Sequence, residues 1–298
     1  MLIFSFQETE RLAKNVAKRV KGDYSLIELD KFPDNEIYLR IRKNIKGKEV
    51  VLIESYFNPD EKIIRTLFFA YTARELGAKK VRLVASYLPY IRQDKRFKEG
   101  EVISSKIIGK LFSIFDEIIA IDPHLHRYKS LSEIFYTNVK KLSANHLIKE
   151  YIKNNFKNSI IIGPDEESYQ WALNIAKELK TNATILQKKR FSSRKVSVKL
   201  MHDIEVKGKK VVVIDDMVST GHTVIEAVKL LKKKKAKEID AVCVHGLFVE
   251  DADKKLRKYG VRNIVSTNTI ESKYSKIDVS GLIGDALRIK NRYIYIVL

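Results

Sequence analysis

"VVVIDDMVSTGHTV", residues 211–224, runs from four apolar residues through two acids into small and hydroxylated residues around a glycine. A continuous apolar run such as Val211–Ile214 is expected of a central parallel strand buried on both faces. Ligands of open α/β sheets bind beyond the carboxyl ends of such strands, where Asp215 and Asp216 stand. Ser219, Thr220, Gly221 and Thr223 come next, ahead of a helix expected from about Val224. Backbone amides at a helix start, helped by hydroxyl donors, make a phosphate cradle, and the glycine lets the chain approach closely. Two carboxylates beside that cradle would repel a second phosphate but accept hydrogen bonds from vicinal hydroxyls. A sugar phosphate meets both demands. A helix cap with an incidental acid is the plainer alternative.

Working outward, "KEVVLIES" (48–55) echoes "KKVVVIDD" (209–216), and "AKKVRLVASY" (78–87) echoes "AKEIDAVCVH" (236–245). Both pairs stand roughly 160 residues apart, the mark of a duplicated α/β domain rather than of a solenoid. The segments between carry apolar residues at helical spacing: Ile63, Leu67, Phe68 and Tyr71 in one, Val224, Ile225, Val228, Leu230 and Leu231 in the other. The expected fold class is therefore α/β, with two tandem domains, each a mostly parallel sheet flanked by helices. The boundary is expected near 145: residues 1–145, then 146–298, with the tail able to pack back on the first domain.

Composition agrees. The 298 residues are 45% apolar, enough for substantial cores, and five prolines and twelve glycines are too few for long low-complexity stretches. No apolar run approaches a bilayer span, the opening "MLIFSFQETERLAK" turns polar too soon for a signal peptide, and the single cysteine, Cys243, suits a reducing cytoplasm. The net charge of +20 could mark a polyanionic partner, but the lysines are scattered, and the densest run, 232–235, reads as a helix C-terminus, where cations suit the dipole. No helix-turn-helix or zinc pattern points to nucleic acid.

Other segments carry further chemistry. "SYLPYIRQDKRF" (86–97) sets Arg92, Gln93 and Asp94 beside Lys95 and Arg96 after a strand, a fork donor, an amide and cations suited to a nucleotide or simply to a charged loop. "IDPHLH" (121–126) places His124 and His126 after another buried strand. "SIIIGPDEES" (159–168) ends in Asp165, and "QKKRFSSRKVSVK" (187–199) crowds cations around two serines. "FPDNEIYLRI" (32–41) by itself is an unremarkable turn.

The loop at 211–223 resembles the phosphoribosyl-binding loop of type I phosphoribosyltransferases, with His222 where glycine is common. Taken with "FPDNEIYLRI", "YIRQDK", "DPHLH", "PDEES", "CVHGLF" and "STNTI", it makes the chain similar nearly end to end to the ribose-phosphate pyrophosphokinases, most of all their archaeal branch. The resemblance implies Mg²⁺-dependent transfer of the diphosphoryl group of ATP to the 1-hydroxyl of ribose 5-phosphate. It implies that Lys188 and Arg190 are catalytic on a mobile loop, with Lys189 and Arg194 secondary. It puts Arg92, Gln93, Asp94 and His124 at ATP, and Phe32, Asp34 and Glu36 there from a neighbouring subunit, in a homodimer or larger assembly. Asp165, Asp215, Asp216, Ser219, Thr220, Gly221, His222 and Thr223 would bind ribose 5-phosphate, and His124 and Asp165 would lie at the metal. His126 ranks lower. Glu166 and Glu167 depart from the small residues usual after Asp165. The weighed alternatives are a non-catalytic regulatory homologue and a phosphoribosyltransferase.

Overall fold

The computed structural model describes residues 1–125, 127–164, 169–179, 181–190, 196–200 and 204–289. The chain divides into two compact units, one of residues 1–143 and 279–298, the other of residues 144–278. No helix among the described residues is long and apolar enough to cross a membrane.

The first unit is built on β1 (Leu2–Ser5), β2 (Asp23–Leu26), β5 (Glu49–Ser55), β6 (Lys80–Tyr87), β7 (Glu117–Ile121) and β8 (Asn138–Leu142), ordered β2-β1-β5-β6-β7-β8 and parallel throughout. The inner strands are apolar on both faces because helices cover both: "VVLI" of β5 and "IIAI" of β7 are wholly buried. Between β2 and β5 an antiparallel pair, β3 (Glu28–Lys31) and β4 (Ile37–Arg40), forms a separate two-stranded hairpin. The core is aromatic, with Phe4 packed on Phe69 (ring centroids 5.3 Å apart) and Tyr56 on Phe112 (5.5 Å).

The second unit repeats the scheme. Its sheet, ordered β11-β10-β9-β12-β13-β14-β15, comprises β9 (Ser159–Gly163), β10 (Ala183–Arg190), β11 (Val196–Leu200), β12 (Lys210–Val218), β13 (Glu238–Gly246), β14 (Ile264–Thr267) and β15 (Ser275–Ile277). Setting aside the antiparallel edge strand β11, the order β10-β9-β12-β13-β14-β15 is that of β2-β1-β5-β6-β7-β8. The echoing segments thus occupy equivalent places, β5 with β12 and β6 with β13. The core here is aliphatic, built on Val211, Val213, Val228, Leu231 and Leu256.

The helix after β5, α2 (Pro59–Glu75), departs from the face expected of it. Ile63, Thr66, Phe69, Ala70 and Ala73 point inward, whereas Phe68 and Tyr71, expected on the buried face, are exposed together with Ile64. The polar Thr66 is accommodated inside because its hydroxyl meets that of buried Tyr56 at 3.0 Å. The apolar period therefore belongs to two faces at once, and the outer one is exposed among the described residues.

The last described helix, α8 (Ser280–Arg288), belongs to the first unit and packs on α1 (Glu10–Val20). Its C-terminal carbonyls meet a buried charge cluster at the amino edge of the sheet. Arg82 donates to Leu287 O (3.3 Å) and Lys140 to Ala286 O and Ile289 O (3.4 Å each), and both cations pair with buried Glu117, Lys140 at 2.8 Å. Cations at a helix C-terminus complement its dipole, and Glu117 balances their charge.

Candidate active site

In the second unit the site begins on β12. Pairing with β13 carries this strand past the acids to Val218, so the carboxylates lie within it rather than at its end. Successive strand side chains alternate faces, and the acids accordingly separate. Asp215 is buried, its Oδ1 accepting the backbone N–H of Asp216 at 3.0 Å, while Asp216 is half-buried. Only three residues, Ser219, Thr220 and Gly221, link the strand to α6 (His222–Lys233), which begins two residues earlier than the sequence suggested. Gly221 caps that helix at φ 73°, a left-handed conformation in which other residues are strained. Because the N-cap is a glycine it offers no side-chain acceptor to the first turn of α6, and no acid lies in that turn. Ser219 and Thr220 are half-buried, and His222 and Thr223 are exposed.

Behind this loop the end of β13 is tied down by groups that sequence reasoning left without a role. His245 is buried and its Nδ1 lies 3.0 Å from Thr269 Oγ1. Thr267 and Thr269 each donate to Val244 O, at 2.9 and 3.1 Å. Leu247 and Phe248 return their N–H groups to Val218 O at 3.0 and 3.1 Å, closing the strand below the loop. Burial, with Asp215 and Asp216 nearby, pushes the Cys243 thiol far above its ordinary range, so this cysteine is a packing residue.

Lys188 and Arg190 occupy the far end of β10, two strands from β12 in the order β10-β9-β12, where β10 pairs antiparallel with β11 (Lys188 opposite Val198, Arg190 opposite Val196). Lys189 lies between them in the same strand, and Arg194 lies outside the described residues, as do Asp165, Glu166, Glu167 and His126.

In the first unit the hairpin presents Phe32, 50% exposed, edge-on to Tyr38 (5.9 Å). The turn is held by Phe32 N–H to Glu36 O (2.9 Å) and Asn35 N–H to Phe32 O (2.8 Å), with Asn35 at φ 71°. Asp34 Oδ1 accepts the Glu36 N–H at 3.2 Å, and Asp34 and Glu36 are exposed. Beyond β6, Arg92 is exposed and Gln93 half-buried, while beyond β7, His124 is half-buried. Asp94 is placed otherwise than expected. Its side chain is 0% exposed and pairs with Arg127 at 2.7 Å, which holds it inside the loop.

The position in the first unit equivalent to the acids of β12 is closed. Glu54, fully buried near the end of β5, receives Arg65 at 2.7 and 3.1 Å, and Arg65 also holds Glu8 at 3.0 Å. Burial pushes the Glu54 carboxyl up, with Arg65 and Lys62 working against it. The first turn of α2 carries Asp60 and Glu61, acids whose charge complements the positive end of the helix dipole and disfavours an anion there. One copy of the duplicated domain thus has a half-buried acid and a glycine turn where the other has an internal ion pair.

Residues 1–115 match the family described as the N-terminal domain of ribose phosphate pyrophosphokinase, and residues 132–280 match the phosphoribosyl transferase domain. The chain is 34% identical to the ribose-phosphate pyrophosphokinase of Methanobrevibacter smithii over 96% of its own length and 100% of that protein's. It is likewise 34% identical to that of Methanothermobacter thermautotrophicus, with the same two coverages. The chain belongs to the ribose-phosphate pyrophosphokinase family.

A solved phosphoribosylpyrophosphate synthetase from Mycobacterium smegmatis shares its fold, with a TM-score of 0.83, 24% identity and coverage of 96% of this chain and 97% of the other. Within this pyrophosphokinase family member, the loop at 219–223 was legible from hydroxyl and glycine spacing. His245 and the threonines at 267 and 269 were not, because a histidine in an apolar strand signals nothing until its partner across the sheet is known. The inward turn of Asp94 was equally hidden, since it depends on an arginine 33 residues away.

Proposed function

We propose that the chain transfers the β,γ-diphosphoryl group of Mg-ATP to ribose 5-phosphate, giving 5-phosphoribosyl 1-diphosphate and AMP. The 1-hydroxyl oxygen forms a bond to the β-phosphorus and gives up its proton to solvent, the bond from that phosphorus to the α,β-bridging oxygen breaks, and AMP departs. The carrying observation is the turn from β12 to α6, an uncapped helix start behind Gly221 with Asp216 half-buried beside it, in a chain related end to end to named pyrophosphokinases. The 5-phosphate would sit on the amides and hydroxyls of residues 219–223 and the ribose hydroxyls on Asp216, with Asp165 joining them as the family resemblance implies. Asp215, tied to the Asp216 amide, would shape the strand end rather than grip the sugar alone.

Arg92 and Gln93 would hold the nucleotide, with His124 beside its phosphates. Lys188 and Arg190 would neutralise charge gathering on the transferring group, and exclusion of water would protect ATP from idle hydrolysis. Among the described residues no cluster of three or more acids, histidines or cysteines could hold an ion. Magnesium commonly binds through substrate phosphates and one or two carboxylates, so of the two residues the resemblance puts at the metal, Asp165 and His124, the carboxylate oxygens of Asp165 suit the ion better than the nitrogen of His124. There Mg²⁺ would supply charge neutralisation on the phosphate oxygens.

Assembly into a homodimer or larger oligomer is supported by the uncovered stripe Ile64, Phe68 and Tyr71 on α2 and by the exposed Phe32. In such an assembly Phe32, Asp34 and Glu36 would reach the nucleotide of a neighbouring subunit. Names shared by relatives over nearly the whole chain favour this reading over a base-exchanging phosphoribosyltransferase or a non-catalytic homologue.

The test is product identification by mass after incubating purified protein with ATP, Mg²⁺ and ribose 5-phosphate. Phosphoribosyl diphosphate and AMP in equal amounts are expected. ADP in place of AMP, or AMP formed without need of the sugar, would overturn the reading.

A further inference from the structure

Asp94 is a charged side chain wholly withdrawn from solvent, and such a group is strongly destabilising without a partner. The Arg127 guanidinium donates to its Oδ1 at 2.7 Å, and its buried Oδ2 receives no hydrogen bond among the described residues. Arg127 itself is 39% exposed, so it reaches from the surface into the interior. The same guanidinium lies 5.5 Å from the Phe97 ring, which Lys95 approaches to 4.9 Å. Next to it, Tyr128 donates to the carbonyl of Asp94 (3.4 Å) and meets Ser105 Oγ at 2.9 Å. The Ser105 N–H in turn reaches Gln93 O at 3.4 Å. Two consecutive residues beyond β7 therefore hold the loop beyond β6 at three points: a carboxylate, a carbonyl and a ring.

β6 and β7 are neighbours in a parallel sheet, and both loops leave their carboxyl ends, where ligands of such sheets bind. One loop carries Arg92 and Gln93, the other His124. We propose that Arg127 is a positioning residue: through Asp94 and Phe97 it locks these loops together, so that the nucleotide-holding pair stands in fixed register with His124. This rests on the assignment of that edge to ATP under Proposed function. A guanidinium that donates to a buried carboxylate while lying against an aromatic ring is held at two places at once, which a lysine's single ammonium does less well. The consequence is selective. Loosening the lock disturbs the nucleotide and leaves the sugar loop on β12, in the other unit, untouched.

The experiment compares Arg127→Lys, Arg127→Ala, Asp94→Asn and the Asp94→Asn/Arg127→Ala double variant in steady-state kinetics, with thermal unfolding followed in parallel. The KM for ATP should rise about 10- to 100-fold in Arg127→Ala and less in Arg127→Lys, while the KM for ribose 5-phosphate changes less than about twofold. The double variant should be no worse than Arg127→Ala, because both changes break one unit. Equal rises in both KM values, no rise for ATP, or additive effects of the two positions would overturn the proposal. Should Arg127→Ala fail to fold, Arg127→Lys carries the same comparison. Calorimetric titration with Mg-ATP separates the two readings. A wild type that binds Mg-ATP but makes no phosphoribosyl diphosphate refutes the proposed reaction, whereas weakened Mg-ATP binding by Arg127→Lys would still support the lock.

Discussion

Asp215 and Asp216 are adjacent in sequence, yet the strand gives them different work. One is buried and accepts its neighbour's amide; the other is half-buried. Replacing Asp216 by Asn should therefore raise the KM for ribose 5-phosphate about 10- to 100-fold, the weight of one or two charge-assisted hydrogen bonds. Lys188→Ala should instead lower kcat with little change in that KM, because its cation is assigned to the transition state. Steady-state kinetics with ribose 5-phosphate as the varied substrate checks both, and exchanged effects would reverse the two roles.

At the scale of elements, the cradle depends on a three-residue link that must turn from β12 into α6. Gly221 makes the turn at φ 73°, and a Cβ there would meet Ala252 Cβ at 3.4 Å and Leu256 Cγ at 3.6 Å. The space is ordinary, so the cost of substitution is conformational. Gly221→Val should destabilise the protein by about 1–2 kcal/mol, seen in denaturant unfolding, and weaken sugar-phosphate binding through the displaced amides. The hairpin of β3 and β4 poses a different question, since its exposed Phe32 would serve a neighbour's site. Phe32→Ala and Lys188→Ala proteins, each impaired, should regain activity when unfolded and refolded together, because mixed assemblies contain some intact sites. Mixing without gain would place the hairpin at its own subunit's site.

At the scale of the molecule, the first unit is completed by a helix that returns after the second has been built, and its end is held by Arg82, Lys140 and Glu117. Burial acts to raise the Glu117 carboxyl, but Lys140 and Arg82 outweigh it and hold it below its ordinary value. A carboxyl that titrates lower when folded contributes stability in full above its unfolded value, about 4.3, and loses it as pH falls through the folded value. Glu117→Gln leaves two cations against each other and should cost about 3 kcal/mol near neutral pH. The gap between the variant and wild type should close as the pH falls below about 4, which unfolding curves across that range would show. A gap independent of pH would mean that packing, not charge, holds the helix.

The apolar runs, their alternation with helices, the doubled pattern and the acid–hydroxyl–glycine loop were all legible in the chain, because each is set by residues within a few positions of one another. Local chemistry was enough to say that a parallel strand would carry the two acids and pass through a short glycine turn into a helix. It did not say that Asp94 would turn inward to Arg127, that Glu54 would be sealed by Arg65, or that α2 would leave Phe68 and Tyr71 uncovered. Those outcomes depend on strand order, which brings loops and helix faces distant in sequence against one another. Burial then decides whether a charge finds a partner or a ligand, and only the assembled sheet decides burial.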